Sequence, residues 1–259
     1  MPVLARSWGH FYFRDQGPRD GLPVLLMNSL GTDLRIWDEM VDLVPDLRIV
    51  RCDKRGNGLS ATPLAPWTLA DLADDALALL DHLEIDRAVV GGCSIGSMIA
   101  LRIGAIAPHR TAGLFLTSTG TRAGTPASWQ TRIDAVRAGG MGAVTRWVVE
   151  HWFSRAFLAT PDSGPWSTMV SRNDPVGYIA TCMILAETDL AALAATIRIP
   201  TLFAFGSEDP YNSSENVGAA AALIPGAKLE IIEGVGHILA LEDPVRTADL
   251  LRQFHKSLA

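Results

Sequence analysis

Residues 89–98, with the sequence VVGGCSIGSM, restrict the fold of this chain more than any other segment. An apolar run leads into glycines, a cysteine and a serine, and a second apolar stretch follows, which predicts a buried strand, a sharp turn and a helix. Gly92 and Gly96 lie two residues before and two residues after Ser94, the G-x-S-x-G pattern of a nucleophile on a strained strand-to-helix turn. The same frame centred on Cys93 fails because position 95 is isoleucine. The spacing therefore predicts Ser94 as the nucleophile and Cys93 as a small buried residue.

The rest of the chain alternates apolar runs with segments of helical periodicity. Residues 22–28 and 47–53 are typical of buried strands, and residues 68–83 form an amphipathic pattern that Thr68 can cap. Strands alternating with helices predict an α/β fold, with a mostly parallel central sheet flanked by helices. Residues 121–195 are helical in pattern and have no evident strand. We therefore expect a core domain of residues 1–120 and 196–259, and a helical cap of residues 121–195.

Composition limits the partners that this chain can have. The formal net charge of −6 argues against a general nucleic-acid binder, which would show a basic surface. The first ten residues lack the apolar run of a signal peptide, and the longest apolar stretch contains glycines, serines and Arg102, which is not typical of a membrane span. The three cysteines are far apart in sequence and have no metal-binding spacing. We expect a cytoplasmic protein that binds a small molecule, with no nucleic-acid or membrane partner, no cofactor and no metal; the oligomeric state stays open.

A serine needs a base, and the base needs a carboxylate to orient it. Two histidines lie well beyond residue 195: His255 is in an amphipathic helical pattern, whereas His237 is in a loop just after a predicted strand. The segment LFAFGSEDP ends its strand with Glu208 and Asp209. The chain order serine, acid, histidine predicts Asp209 and His237 as partners of Ser94, with Glu208 as the alternative acid.

An oxyanion hole requires two backbone N–H groups near the nucleophile. The residue after the nucleophile, Ile95, should supply one of them, and the loop after the strand at residues 22–28 should supply the other. That loop reads Asn28-Ser29-Leu30-Gly31-Thr32, and Leu30 is the expected donor.

The predicted cap carries six arginines and six acidic residues, so its net charge is zero and the rest of the chain holds the −6. A neutral cap with arginine and tryptophan side chains is compatible with a small organic anion as ligand. The alternatives are that the arginines form surface ion pairs and that the tryptophans pack the cap onto the core. The predicted substrate-binding residues are Arg132, Trp152, Arg155 and Trp166.

The motifs described above resemble, in their order and over essentially the full length, those of the α/β-hydrolase superfamily. The serine turn, the DKRGNG loop of residues 53–58, GSEDP and GVGHILALEDP all fall where that fold has them. Within the superfamily the chain is similar to the 3-oxoadipate enol-lactonases, which carry Asn-Ser-Leu-Gly where most relatives have His-Gly; residues 152–157 and 174–190 also resemble their cap. The chain departs from the common pattern at Cys93, at Ser97, where glycine is frequent, and at Asn57, where histidine is frequent.

The resemblance implies a serine hydrolase that opens a small carboxylate-bearing enol-lactone in aromatic catabolism, through the β-ketoadipate route and without a cofactor. Other hydrolases on the same frame stay open: a carboxylesterase, an acyl-homoserine-lactone or C–C bond hydrolase, or a cofactor-free haloperoxidase-like enzyme. A ligand receptor that keeps the triad is an alternative of a different class.

Overall fold

Eight strands form one sheet in the computed structural model, which describes residues 2–64 and 66–258. In chain order they are β1 (Val3–Arg6), β2 (Gly9–Gln16), β3 (Val24–Met27), β4 (Ile49–Cys52), β5 (Ala88–Cys93), β6 (Thr111–Thr117), β7 (Thr201–Gly206) and β8 (Lys228–Ile232). Their spatial order is β1-β2-β4-β3-β5-β6-β7-β8. The β1–β2 and β2–β4 pairs are antiparallel and the other pairs are parallel. The predicted α/β class, with a mostly parallel sheet, is confirmed.

The central strands are apolar because both faces of the sheet are covered. Every residue of β3, β5, β6 and β7 is buried, which explains why these segments are continuous apolar runs without polar alternation. The edge strand β8 differs, since most of its residues are exposed or half-buried. The parallel order brings the carboxyl ends of β3, β5, β6, β7 and β8 to one edge of the sheet.

Helices flank the sheet. Six of them precede or follow residues 121–195, the segment that was expected to form a cap. They are α1 (Asp38–Asp42), α2 (Leu69–His82), α3 (Ile95–Ile106), α10 (Ser214–Ala222), α11 (Leu239–Glu242) and α12 (Pro244–Lys256), with short 3₁₀ turns at Leu34–Trp37 and Pro108–Arg110. The Thr68 hydroxyl accepts a hydrogen bond from the Asp71 N–H, and the Asp71 carboxylate accepts one from the Thr68 N–H. The predicted cap of α2 is therefore present as a reciprocal capping box.

The chain between β6 and β7 is helical wherever the structure assigns regular elements to it. These are α4 (Pro126–Gly139), α5 (Gly142–Glu150), α6 (Arg155–Leu158), α7 (Gly164–Ser171), α8 (Pro175–Glu187) and α9 (Ala191–Ala194), with a 3₁₀ turn at Pro161–Ser163. Thr125 and Pro126 begin α4 with a second capping box and a proline in the first turn.

Candidate active site

Ser94 occupies the sharp turn between β5 and α3, and its backbone is strained. Its φ of 56° and ψ of −116° lie outside the regions that a serine ordinarily adopts, at a cost of about 1–3 kcal/mol. A Cβ atom at Gly92 would lie 2.5 Å from the carbonyl carbon of Gly96, and one at Gly96 would overlap the carbonyl oxygen of Met27. Glycine is therefore required at both positions by close backbone approach.

Ser97 replaces the common glycine without loosening this turn. Its hydroxyl lies 2.6 Å from the carbonyl oxygen of Gly92, to which it can donate, and accepts a hydrogen bond of 2.9 Å from the Thr117 N–H. The Thr117 hydroxyl also donates to the Gly92 carbonyl, at 2.9 Å. Ser97, at a position where glycine is frequent, thus connects α3 by hydrogen bonds to the ends of β5 and β6.

His237 and Asp209 are joined by a hydrogen bond of 2.9 Å between the imidazole Nδ1 and the carboxylate Oδ2, and both side chains are buried. Asp209 also accepts hydrogen bonds of 2.9 Å from the Tyr211 N–H and from the Asn212 amide. With a carboxylate as its acceptor, Nδ1 carries the imidazole proton and Nε2 is left as the basic nitrogen. The neighbouring Glu208 is exposed, so Asp209 is the acid that meets His237.

The loop that carries His237 is held against the segment after α5. The His237 N–H donates to the Trp152 carbonyl at 2.7 Å. The half-buried Glu242 carboxylate accepts hydrogen bonds from the N–H groups of Gly236, at 2.8 Å, and Ser154, at 3.0 Å. These contacts fix the backbone around His237, and the hydrogen bond to Asp209 fixes its imidazole.

Ser94 and His237 line one cavity of about 330 Å³. Its wall combines residues at the carboxyl edge of the sheet with residues of the helical segment between β6 and β7. Most of the side chains from that segment are aromatic or basic. The lining includes Ser29, Leu30, Ser94, Ser118, Trp129, Arg132, Trp147, Trp152, Tyr178, Tyr211, Asn212 and His237.

The two expected oxyanion donors lie at the loop after β3 and at the start of α3. Leu30 lies in the loop after β3 and lines the cavity. Ile95 is the first residue of α3, so its N–H has no partner within the helix. The helix N-terminus also favours negative charge at this point.

Arg132 lines the cavity and has no acidic partner among the described residues. Its guanidinium lies over the rings of Trp129, at 4.6 Å, and Trp147, at 4.3 Å. No carboxylate within residues 2–64 and 66–258 lies within 4 Å of it, whereas Arg122 pairs with Asp189 and Arg146 with Glu150. Arg137 likewise lies 3.6 Å from Asp134. The surface ion-pair alternative therefore holds for these three paired arginines and leaves Arg132 as a cation without an acidic partner at the cavity wall.

The structure places Trp152 at the cavity but does not bring Arg155 or Trp166 there. Arg155 is exposed because Ser154 caps the four-residue helix α6 and the next side chain faces solvent. Trp166 lines a separate, larger cavity of about 950 Å³, between α7 and the loops that follow β3 and β4. The expectation that these two residues contact the same pocket as Arg132 is therefore corrected.

Several cavity residues were not identified from the sequence. Trp129 and Trp147 hold Arg132, and Tyr178 is a fully buried residue of helix α8. Burial raises the pKa of Tyr211 to about 12, with Arg132 opposing the shift, so this phenol is neutral at physiological pH. Asn212 bonds both Asp209 and the Ser118 carbonyl. The only sequence signal for the tryptophans was their frequency between β6 and β7.

Cys93 is buried, and its thiol lies 3.7 Å from the carbonyl oxygen of His237. Burial raises the pKa of the Cys93 thiol to about 12, so it is protonated at neutral pH and is a poor nucleophile. It does not line the cavity. The adjacent residues 93 and 94 therefore face different surroundings, as the glycine spacing predicted.

The described part of the chain has neither a membrane-spanning helix nor a metal-binding cluster. Among those residues, no helix has both the length and the apolar character needed to cross a bilayer. No group of three or more histidine, cysteine, aspartate or glutamate side chains in the same residues is arranged to hold a metal ion.

The fold and the strained turn at Ser94 are those of an α/β hydrolase. Comparison with known proteins leads to the same class. Residues 24–250 match the Alpha/beta hydrolase family, and the chain belongs to that family. It is 31% identical over 245 residues to 3-oxoadipate enol-lactonase 1 of Acinetobacter baylyi, covering 93% of this chain and 91% of the relative. It is 30% identical over 231 residues to 3-oxoadipate enol-lactonase 2 of the same organism, covering 88% and 86%.

A solved structure extends the likeness to three dimensions. The enol-lactonase from Burkholderia xenovorans LB400 superposes with a TM-score of 0.94 at 28% identity, covering 98% of this chain and all of that one. The predicted family, the α/β-hydrolase fold and the assignment as a hydrolase are therefore confirmed.

Proposed function

We propose that Ser94, His237 and Asp209 form the catalytic triad of an enzyme that opens 3-oxoadipate enol-lactone, a small lactone bearing a carboxylate, to 3-oxoadipate. The strained turn at Ser94, the 2.9 Å bond between His237 and Asp209, and the shared cavity support the triad. The relatives named as 3-oxoadipate enol-lactonases support the substrate.

Acylation begins at the lactone carbonyl. The His237 Nε2 takes the proton of the Ser94 hydroxyl as the serine oxygen bonds to the carbonyl carbon. The N–H groups of Leu30 and Ile95 receive the negative charge that develops on the carbonyl oxygen, and loss of one such donor typically costs about 3–4 kcal/mol. Asp209 stabilises the imidazolium without taking its proton.

Collapse of the tetrahedral intermediate breaks the ring C–O bond and leaves an acyl-enzyme. Because the ester is cyclic, the leaving oxygen stays attached to the acyl chain as an enolate. The His237 imidazolium gives its proton to this enolate, either at carbon or at oxygen with tautomerisation afterwards, which yields the ketone and leaves His237 neutral. His237 then takes a proton from water, which attacks the acyl carbon, and the 3-oxo acid leaves with the serine hydroxyl restored.

The observation that carries the substrate class is the unpaired guanidinium of Arg132 on the cavity wall. A guanidinium without an acidic partner can bind a carboxylate with two parallel hydrogen bonds. The Tyr178 hydroxyl has no hydrogen-bond partner in the described residues and lines the same cavity, so it offers a second donor. A cavity of about 330 Å³ suits a small lactone better than an ester with a long acyl chain.

The helical segment is proposed to act as a cap over the site. The domain division is residues 1–120 and 196–259 for the hydrolase core and 121–195 for the cap. Support comes from the cavity wall, to which both parts contribute, and from the contacts between Trp152 and His237. The cytoplasm and the β-ketoadipate route of aromatic catabolism are the proposed setting. The three cysteines, which are all free and buried, fit a reducing compartment.

The test is a comparison of substrates with the purified protein. We expect a higher kcat/KM for 3-oxoadipate enol-lactone than for p-nitrophenyl acetate, measured by absorbance. Brisk hydrolysis of the acetate with the lactone left intact would contradict the lactonase proposal and favour a general carboxylesterase. A single event per protein molecule, with a ligand-driven rise in melting temperature, would favour a receptor.

A further inference from the structure

The carbonyl oxygen of Ser29 is approached by three buried side-chain donors. The Lys54 Nζ lies 2.6 Å from it, the Thr32 hydroxyl 3.0 Å and the Asn28 amide nitrogen 3.3 Å. All three side chains belong to residues that are almost wholly buried. A carbonyl oxygen has two lone pairs and can accept two hydrogen bonds. Three donors are therefore more than this buried carbonyl needs.

Lys54 reaches this carbonyl from the loop after β4, the strand beside β3. Its own N–H lies 3.3 Å from the Asn28 side-chain oxygen, so Lys54 is held to two consecutive residues of that loop, Asn28 and Ser29. The carboxylate of Asp53 is engaged elsewhere, by the N–H groups of Leu34 and Leu59. In the described parts of the chain, no carboxylate lies within 4 Å of the Lys54 ammonium.

A buried ammonium without a carboxylate partner is strongly unfavourable, because it has lost water and gained no opposite charge. Burial accordingly lowers the pKa of Lys54 to about 7, while Asp53, Cys52, Asp33 and Cys93 oppose the shift. A neutral donor would satisfy the same carbonyl at less cost. With this pKa, about half of the molecules carry the ammonium at pH 7, and in these the positive charge lies directly against the Ser29 carbonyl.

The Ser29 carbonyl and the Leu30 N–H belong to one planar peptide group and point in opposite directions. Holding the oxygen therefore fixes the direction of the N–H. A positive charge beside the oxygen also polarises the amide and strengthens its N–H as a donor. We propose that Lys54 is a positioning residue of the oxyanion hole, which orients and polarises the Ser29–Leu30 peptide through the Ser29 carbonyl. The inference rests on the proposed function, in which the Leu30 N–H receives the oxyanion.

The test compares Lys54→Met with Thr32→Val, which removes a neutral donor from the same carbonyl oxygen. We expect Lys54→Met to lower kcat about 10- to 100-fold with KM changed less than about threefold, because the lost effect is confined to the transition state. Inhibition by a small boronic acid, which forms a tetrahedral adduct on Ser94, should weaken by a similar factor. Thr32→Val should lower kcat less than about fivefold, since only a neutral hydrogen bond is lost.

Melting temperatures establish that the variants are folded. If Lys54→Met does not fold, Lys54→Gln replaces it, because glutamine keeps a neutral donor and removes the charge. A folded Lys54 variant that keeps its kcat and its boronic acid affinity overturns the inference, and so does a Thr32→Val variant with an equal loss.

Using p-nitrophenyl acetate beside the lactone separates this inference from the identity of the substrate, since both esters need the same oxyanion hole. A wild-type protein with no turnover dependent on Ser94 would overturn the proposed function and this inference with it. An active wild type with a fully active Lys54→Met variant would overturn only the role of Lys54.

Discussion

Replacing Arg132 with methionine removes the only charge of that side chain and keeps most of its apolar stem over Trp129 and Trp147. The guanidinium has no acidic partner among the described residues, so no carboxylate is left unpaired by the change. A hydrogen bond to a charged group contributes about 1.5–3 kcal/mol. Because the carboxylate is held equally in ground and transition states, this corresponds to a rise in KM of about 10- to 150-fold with kcat nearly unchanged.

The assay is a steady-state measurement on the anionic lactone and on a neutral ester of similar size, with wild type, Arg132→Met and Arg155→Met. Arg155 is a matched control because it lies in the same helical segment, is exposed and does not line the cavity. The neutral ester should show no change in any variant. An unchanged KM of Arg132→Met for the anionic lactone would refute the carboxylate-binding role, and so would an equal rise for the neutral ester.

Three further changes test other parts of the site. Asp209→Asn should lower kcat about 10⁴-fold because the imidazole loses the acceptor that sets its tautomer, whereas Glu208→Gln, at an exposed position, should leave kcat within about twofold; equal losses would remove the distinction. Gly96→Ala should destabilise the fold by about 1–3 kcal/mol in urea unfolding, since the added methyl overlaps the Met27 carbonyl, and an unchanged midpoint would show that the turn can relax. Burial lowers the pKa of Lys54 from 10.5 to about 7. Between these pH values the unfolded chain therefore binds more protons than the folded chain, and wild-type stability rises with pH. Any stability advantage of Lys54→Met over wild type should shrink from pH 7 to pH 10, and a constant difference would contradict the pKa shift.

The parts of the site that lie on the sheet were predictable from the sequence because strong local constraints fix them. Glycines at 92 and 96 are demanded by close backbone approach, so their spacing identifies Ser94 regardless of its neighbour Cys93. Asp209 follows the buried strand β7 and His237 follows the edge strand β8, and the parallel order brings the ends of these two strands to one edge.

Other features have no comparable local signal. The hairpin of β1 and β2 lies at the edge of the sheet, where half-exposed strands lack a continuous apolar run. The helical segment after residue 33 divides into a 3₁₀ turn and the short α1, because Asp33 caps the first turn and Asp53 accepts from the Leu34 N–H.

The side chains of the helical segment were the least predictable part of the site. Helix α8 has apolar residues on nearly all sides, so its periodicity does not indicate which face meets the cavity. Helix α6 has only four residues, too few for a pattern to show that Arg155 faces solvent. Placement of these residues depends on packing between helices, which explains why Arg132 and Trp152 reached the cavity while Arg155 and Trp166 did not.

The most direct test of the central claim is turnover of 3-oxoadipate enol-lactone by wild type, Ser94→Ala and Cys93→Ala, each verified as folded by its melting temperature. The account predicts a fall of at least about 10⁴-fold in kcat for Ser94→Ala and a change of less than about fivefold for Cys93→Ala, whose thiol is buried and protonated. Substantial lactone turnover by Ser94→Ala, or a loss in Cys93→Ala as large as that in Ser94→Ala, would contradict it.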